Sequence, residues 1–128
     1  MKDFDWIAAR CECSPHLVFE KLKTQVEKDV ESREKTLTVA QKERCKFEFM
    51  PGRTDFSVIV GGDNIHGSIT FALTETGIVV LNEERVSIFE ADVTISDEGE
   101  CKLKVNGEEK ELWQVRKMAL ETLLFGKY

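Results

Sequence analysis

Val18, Leu22, Val26 and Val30 recur every four residues through a stretch otherwise filled with Lys, Glu, Asp and Gln. That spacing puts them, with Phe19 beside them, on one face of an amphipathic helix. Ser14-Pro15 marks its start. Serine is a preferred N-cap, and proline suits the first helical position, where a missing N–H costs nothing. The helical pattern fades near Glu34. Ahead of the cap, Ile7, Ala9, Cys11 and Cys13 alternate with Trp6, Ala8, Arg10 and Glu12, so Phe4–Cys13 reads as a strand.

From Cys45 the period changes from four to two. Cys45, Phe47 and Phe49 alternate with Lys46 and Glu48, and Phe56, Val58 and Val60 continue the pattern beyond the turn Met50-Pro51-Gly52-Arg53. Gly61-Gly62-Asp63-Asn64 turns the chain into Ile69, Phe71 and Leu73, which alternate with Ser68, Thr70 and Ala72. Further strands follow at Ile78–Leu81, Phe89–Ile95 and Cys101–Val105, separated by turns at Thr74–Gly77 and Ser96–Gly99. Asn106-Gly107 favours a type I′ hairpin, making Glu108–Leu112 a last short strand; the alternative is that the final helix starts there. Trp113, Val115, Ala119, Leu120, Leu123 and Leu124 give Trp113–Phe125 a broad apolar helical face. The expected fold is a single α+β domain over residues 1–128: an antiparallel sheet of about six to seven strands, with a long N-terminal helix and a C-terminal helix.

The order strand, long helix, antiparallel strands, C-terminal helix resembles the helix-grip fold of the START-like superfamily. A local pattern is similar too: Ser14-Pro15 closes the first strand, and Val18, Phe19 and Leu22 follow. The resemblance implies a curved sheet around a terminal helix and a cavity for a small apolar ligand. It does not say which ligand. This chain has one long helix where that superfamily commonly has two short ones.

Composition narrows the function classes. The chain has 128 residues, 41% of them hydrophobic and 33% charged, which suits a soluble globular domain. No apolar run reaches the ~18–20 residues of a membrane helix, and the first residues do not read as a secretory signal, so the expected location is the cytoplasm. The net charge is −6, of which residues 65–128 carry −5. No cation cluster stands ready to meet a phosphate backbone, which argues against nucleic acid as a partner.

Arg10–His16 reads RCECSPH and holds the densest candidate chemistry. A closed zinc site needs about four converging ligands. Cys45, Cys101 and His66 are scattered singly, so no second ligand pair accompanies Cys11 and Cys13. Cys-x-Cys on a strand is also unlike the Cys-x-x-Cys of a redox helix. The four cysteines are therefore expected to be reduced, buried hydrophobes, with no metal and no cofactor. His66 lies in GGDNIHG, where Asp63 would have to orient it for base catalysis; a turn explains the same residues. The acidic clusters at residues 83–84, 97–100 and 108–111 fall at turns and lack the spacing of a calcium loop.

No nucleophile–base pair emerges, so the reading leans away from an enzyme. Phe47, Phe49, Phe56, Phe71 and Phe89 share the apolar strand phase. With Trp113 they are the candidate ligand-binding residues, and plain core packing is the competing explanation. The leading expectation is a non-enzymatic binding protein for a small apolar molecule between sheet and helix. The alternative is an interaction module or homo-oligomeric subunit, a homodimer being one form, that uses an exposed sheet face.

Overall fold

The computed structural model describes residues 3–128. Among these residues four helices and seven strands follow in the order α1 Trp6–Glu12, α2 Pro15–Thr36, α3 Val39–Arg44, β1 Cys45–Met50, β2 Asp55–Gly62, β3 Ile65–Leu73, β4 Gly77–Leu81, β5 Ser87–Ile95, β6 Cys101–Val105, β7 Glu108–Lys110 and α4 Leu112–Leu124. The strands form one antiparallel sheet in chain order, β1 to β7, so each strand pairs with its sequence neighbour. The α+β class and the helices at both ends of the chain agree with the pattern of apolar positions.

The long helix starts where its cap predicts. Ser14 Oγ accepts the Leu17 N–H at 3.3 Å, and Pro15 occupies the first turn. Val18, Phe19, Leu22, Val26 and Val30 are all buried. They face one side of the sheet, where the strand registers align Phe47 with Val60, Phe56 with Phe71, Val58 with Ile69, and Val80 with both Phe71 and Phe89. α4 adds Val115, Ala119, Leu120 and Leu124 to the same core. Gly67 on β3 makes room for α4, since a Cβ there would lie 3.1 Å from Leu123 Cδ1.

Asn106-Gly107 does close a hairpin. Both residues have positive φ, 52° and 82°, the pair of left-handed conformations that a type I′ turn requires. The last strand therefore ends at Lys110, and α4 begins at Leu112 behind a capping box in which Glu111 and Gln114 exchange hydrogen bonds.

Two expectations need correction. Phe4–Cys13 is not a strand: Trp6–Glu12 forms α1, with Asp5 Oδ1 accepting the Ala8 N–H at 3.1 Å as its cap. Small Ala and Cys residues produce an alternation with a period of two but do not enforce a strand, and no residue of α1 is buried. Nor are all the cysteines reduced, buried hydrophobes. Cys13 and Cys101 form a disulfide across 88 residues, with Cα atoms 5.5 Å apart. Ending a helix rather than a strand, Cys13 meets the start of β6. Cys45 is free and buried, and Cys11 is free but exposed.

Candidate functional site

α2 and α4 run side by side in the same direction. Three contacts hold them in register. Arg116 Nε donates to Asp29 Oδ2 at 2.7 Å, Arg116 Nη1 donates to Gln25 Oε1 at 2.6 Å, and Arg33 Nε donates to the Leu124 carbonyl at 2.7 Å. Between the helices lies an open groove of about 410 Å³. Its apolar lining comes from Leu120 and Leu124, which are buried, and from Trp113 and Phe125, which are 54% and 65% exposed. Large aromatics left this open at a groove are more informative than scattered apolar surface.

The groove's charged side chains are already engaged. Arg116 pairs with Asp29, and Lys117 pairs with Glu121 at 3.4 Å. Arg33 caps the Leu124 carbonyl, donates to Thr36 Oγ1 at 3.0 Å, and stacks on the Phe125 ring with Cζ 4.4 Å from its centroid. A cation there also suits the negative ends of both helix dipoles, because both C-termini come to that end of the groove. What remains on offer to a ligand is chiefly apolar and aromatic surface.

Trp113 also closes a polar cluster at the start of α4. Its Nε1 donates to Glu111 Oε2 at 3.2 Å, while Lys102 Nζ donates to Glu111 Oε1 at 2.9 Å. The hydrogen bond from Lys102, then its charge, and then the Trp113 bond hold the Glu111 carboxyl below its ordinary range. Hydrogen bonds to Glu111 and Glu100 raise the Lys102 ammonium in turn.

The six candidate aromatics divide among three places. Phe56 and Phe71 stack at 4.8 Å, and Phe19 lies 5.2 Å from Phe56. Phe89 is buried in the same core. Phe47, itself buried in that core, and Phe49, packed against it, also line a second groove between α2 and β1, with Val30 and Pro51. Trp113 stands apart, in the α2–α4 groove. The sequence pattern did not single out Phe125, Arg33 or Arg116. Phe125 closing the Trp113–Phe125 helical pattern was its one signal, and Arg33 and Arg116 had none.

His66 is exposed, with Nε2 3.7 Å from a Glu83 carboxylate oxygen. That contact joins β3 to the β4–β5 turn, where Asn82 Oδ1 accepts the N–H groups of Glu84 and Val86, each at 3.0 Å. Among the described residues, no group of three or more His, Cys, Asp or Glu is placed to hold a metal ion, and no helix is long and apolar enough to cross a membrane. In comparisons with known proteins, no family model, curated protein or solved structure matches the chain.

Proposed function

We propose that this chain is a non-enzymatic binding protein for a small, largely apolar molecule, held between α2 and α4. One observation carries the reading: Trp113 and Phe125 remain open to solvent over a floor of Leu120 and Leu124. The groove's volume falls in the ~300–1,000 Å³ range of small-molecule sites. Its charged groups face each other or backbone, which leaves apolar contact as the main source of affinity. The START-like resemblance supports a small apolar ligand, with the seat moved from the sheet–helix interior, where Phe19, Phe56 and Phe71 pack on one another, to the helix pair.

The uncharged, environment-sensitive dye Nile red tests this. The parent chain should bind it at one saturable site. Trp113→Ala and Phe125→Ala should each weaken binding by about tenfold, the worth of roughly 1–2 kcal/mol of lost apolar contact. Unsaturable binding, or binding indifferent to both substitutions, would count against the groove.

A second reading rests on the sheet's other face. There Ser57, Ile59, Ser68, Thr70, Ala72, Val79 and Leu81 lie together across β2, β3 and β4, with Asp55 at the start of β2 on the same face. Charges of both signs flank them, Lys46 and Glu48 on β1 and Glu90 and Asp92 on β5. The occupant this pattern favours is a second copy of the chain, because a face that carries both signs at its rim can complement itself. Native mass measured against concentration separates this reading from the first: a dimer abolished by Val79→Arg supports it, and a monomer throughout removes it.

A further inference from the structure

We infer that Cys13 and Cys101 form a thiol-exchange site, opened by a small thiol at Cys101, and that this opening releases α1 from the body of the protein. Three observations converge. First, α1 contributes no buried residue. A seven-residue helix is far below the ~12–15 residues at which isolated helices become even marginal. Besides the chain's continuation into α2, the disulfide and the Phe4 ring lying over Gly99 in the β5–β6 turn link it to the rest of the fold. Phe4 is itself 58% exposed.

Second, the two bonded cysteines differ sharply in exposure. Cys13 is 1% exposed, whereas Cys101 is an exposed residue. Cys101 borders a recess that it shares with Gln25, Leu112 and Trp113. A thiolate arriving from solvent therefore meets the Cys101 sulfur. It forms a bond to that sulfur, the Cys13–Cys101 bond breaks, and Cys13 departs with the electron pair and takes a proton from water. A second molecule of the small thiol then attacks the mixed disulfide and frees Cys101. The balance is one protein disulfide plus two thiols giving two cysteine thiols plus one small-molecule disulfide.

Third, Cys11 is a free, exposed thiol two residues from Cys13. It stands on the released element and so leaves with it; a small-molecule disulfide that meets it there exchanges with its thiolate, one S–S bond forming as another breaks and one small thiol departing. The disulfide thus works as a latch: closed, it holds α1 against β6; open, it returns α1 to the marginal stability of a short helix.

The test uses the full chain carrying Cys11→Ser, air-oxidised and then exposed to reduced glutathione. The first glutathione adduct should map to Cys101. Trypsin should cut after Arg10 at least tenfold faster once the disulfide is open, while amides of Val58 and Phe71 keep their slow hydrogen exchange. The double variant Cys13→Ser/Cys101→Ser should be cut at the fast rate without any reductant. Four results would overturn the proposal: a chain that stays fully reduced in air, a first adduct on Cys13, equal cleavage at Arg10 in both states, or core amides that exchange as fast as Arg10 is cut.

Discussion

The carboxylate Oε1 of Glu34 accepts the backbone N–H of Phe47 at 2.6 Å. β1 is an edge strand, and its N–H and C=O groups on the side away from β2 have no strand partner among the described residues. A side chain from the last turns of α2 fills one of those positions. At the other edge, β7 is only three residues long and reads Glu108-Glu109-Lys110. Both ends of the open sheet are thus blunted against further strand pairing.

Glu34→Ala should lower stability by about 1–3 kcal/mol, because it leaves a part-buried amide without an acceptor. Glu34→Gln keeps an acceptor oxygen and should cost less. Urea denaturation checks both, and equal losses would show that charge, not the hydrogen bond, matters at this edge.

Much of this architecture could be read from apolar spacing, and the exceptions have physical causes. α2 was legible because Val18, Leu22, Val26 and Val30 hold their period across a 22-residue helix. α3 was not, since six residues are too few to display a period. Its one signal was a capping box, in which Thr38 Oγ1 accepts the Gln41 N–H at 3.1 Å and Gln41 Oε1 accepts the Thr38 N–H at 3.0 Å. α1 was misread because Ala8, Ala9 and Cys11 fit either period, and the Asp5 cap was the deciding clue. Of the groove, Leu120 and Leu124 were legible as the apolar face of the last helix, and Trp113 alone as a candidate binding residue. Arg33 meets Leu124 and Phe125 across about ninety residues of chain, a juxtaposition that local pattern does not encode. The Cys13–Cys101 bond is hidden for the same reason.

Arg116 ties α4 to α2 through both Asp29 and Gln25. Arg116→Ala should cost about 1–2 kcal/mol, at the lower part of the range for charge-assisted hydrogen bonds because the side chains remain partly solvated. Arg116→Lys should not rescue it, since a single ammonium does not reproduce the guanidinium fork. A double-mutant cycle with Asp29→Ala should give a coupling of about 0.5 kcal/mol or more; no coupling would show that the pair does not fix the helix register.

The start of α4 should respond to acid. Glu111 has a lowered pKa in the folded chain, so its contribution is present above the ordinary carboxylate range and is lost as pH falls through the lowered value. In a Trp6→Phe background, Trp113 fluorescence should therefore change on acidification, and Lys102→Ala should move that change to higher pH. A titration unmoved by Lys102→Ala would contradict the assigned cause.

Phe71 stacks on Phe56 at the centre of the core with no exposed surface. Phe71→Ala should cost about 3–5 kcal/mol through lost contact and a residual cavity. Thermal or urea unfolding measures this directly. A cost below about 1 kcal/mol would mean that the phenylalanines border a space already empty, returning the ligand to the sheet–helix interior.

The most direct test of the binding site is a nuclear magnetic resonance titration of the labelled chain with Nile red. The account predicts that the Trp113 indole N–H, the Leu120 and Leu124 methyls and the Phe125 amide shift together and saturate with one equivalent. Shifts centred instead on Phe56, Phe71 and Phe89, or on Val79 and Leu81 across the sheet, would contradict a ligand seat between α2 and α4.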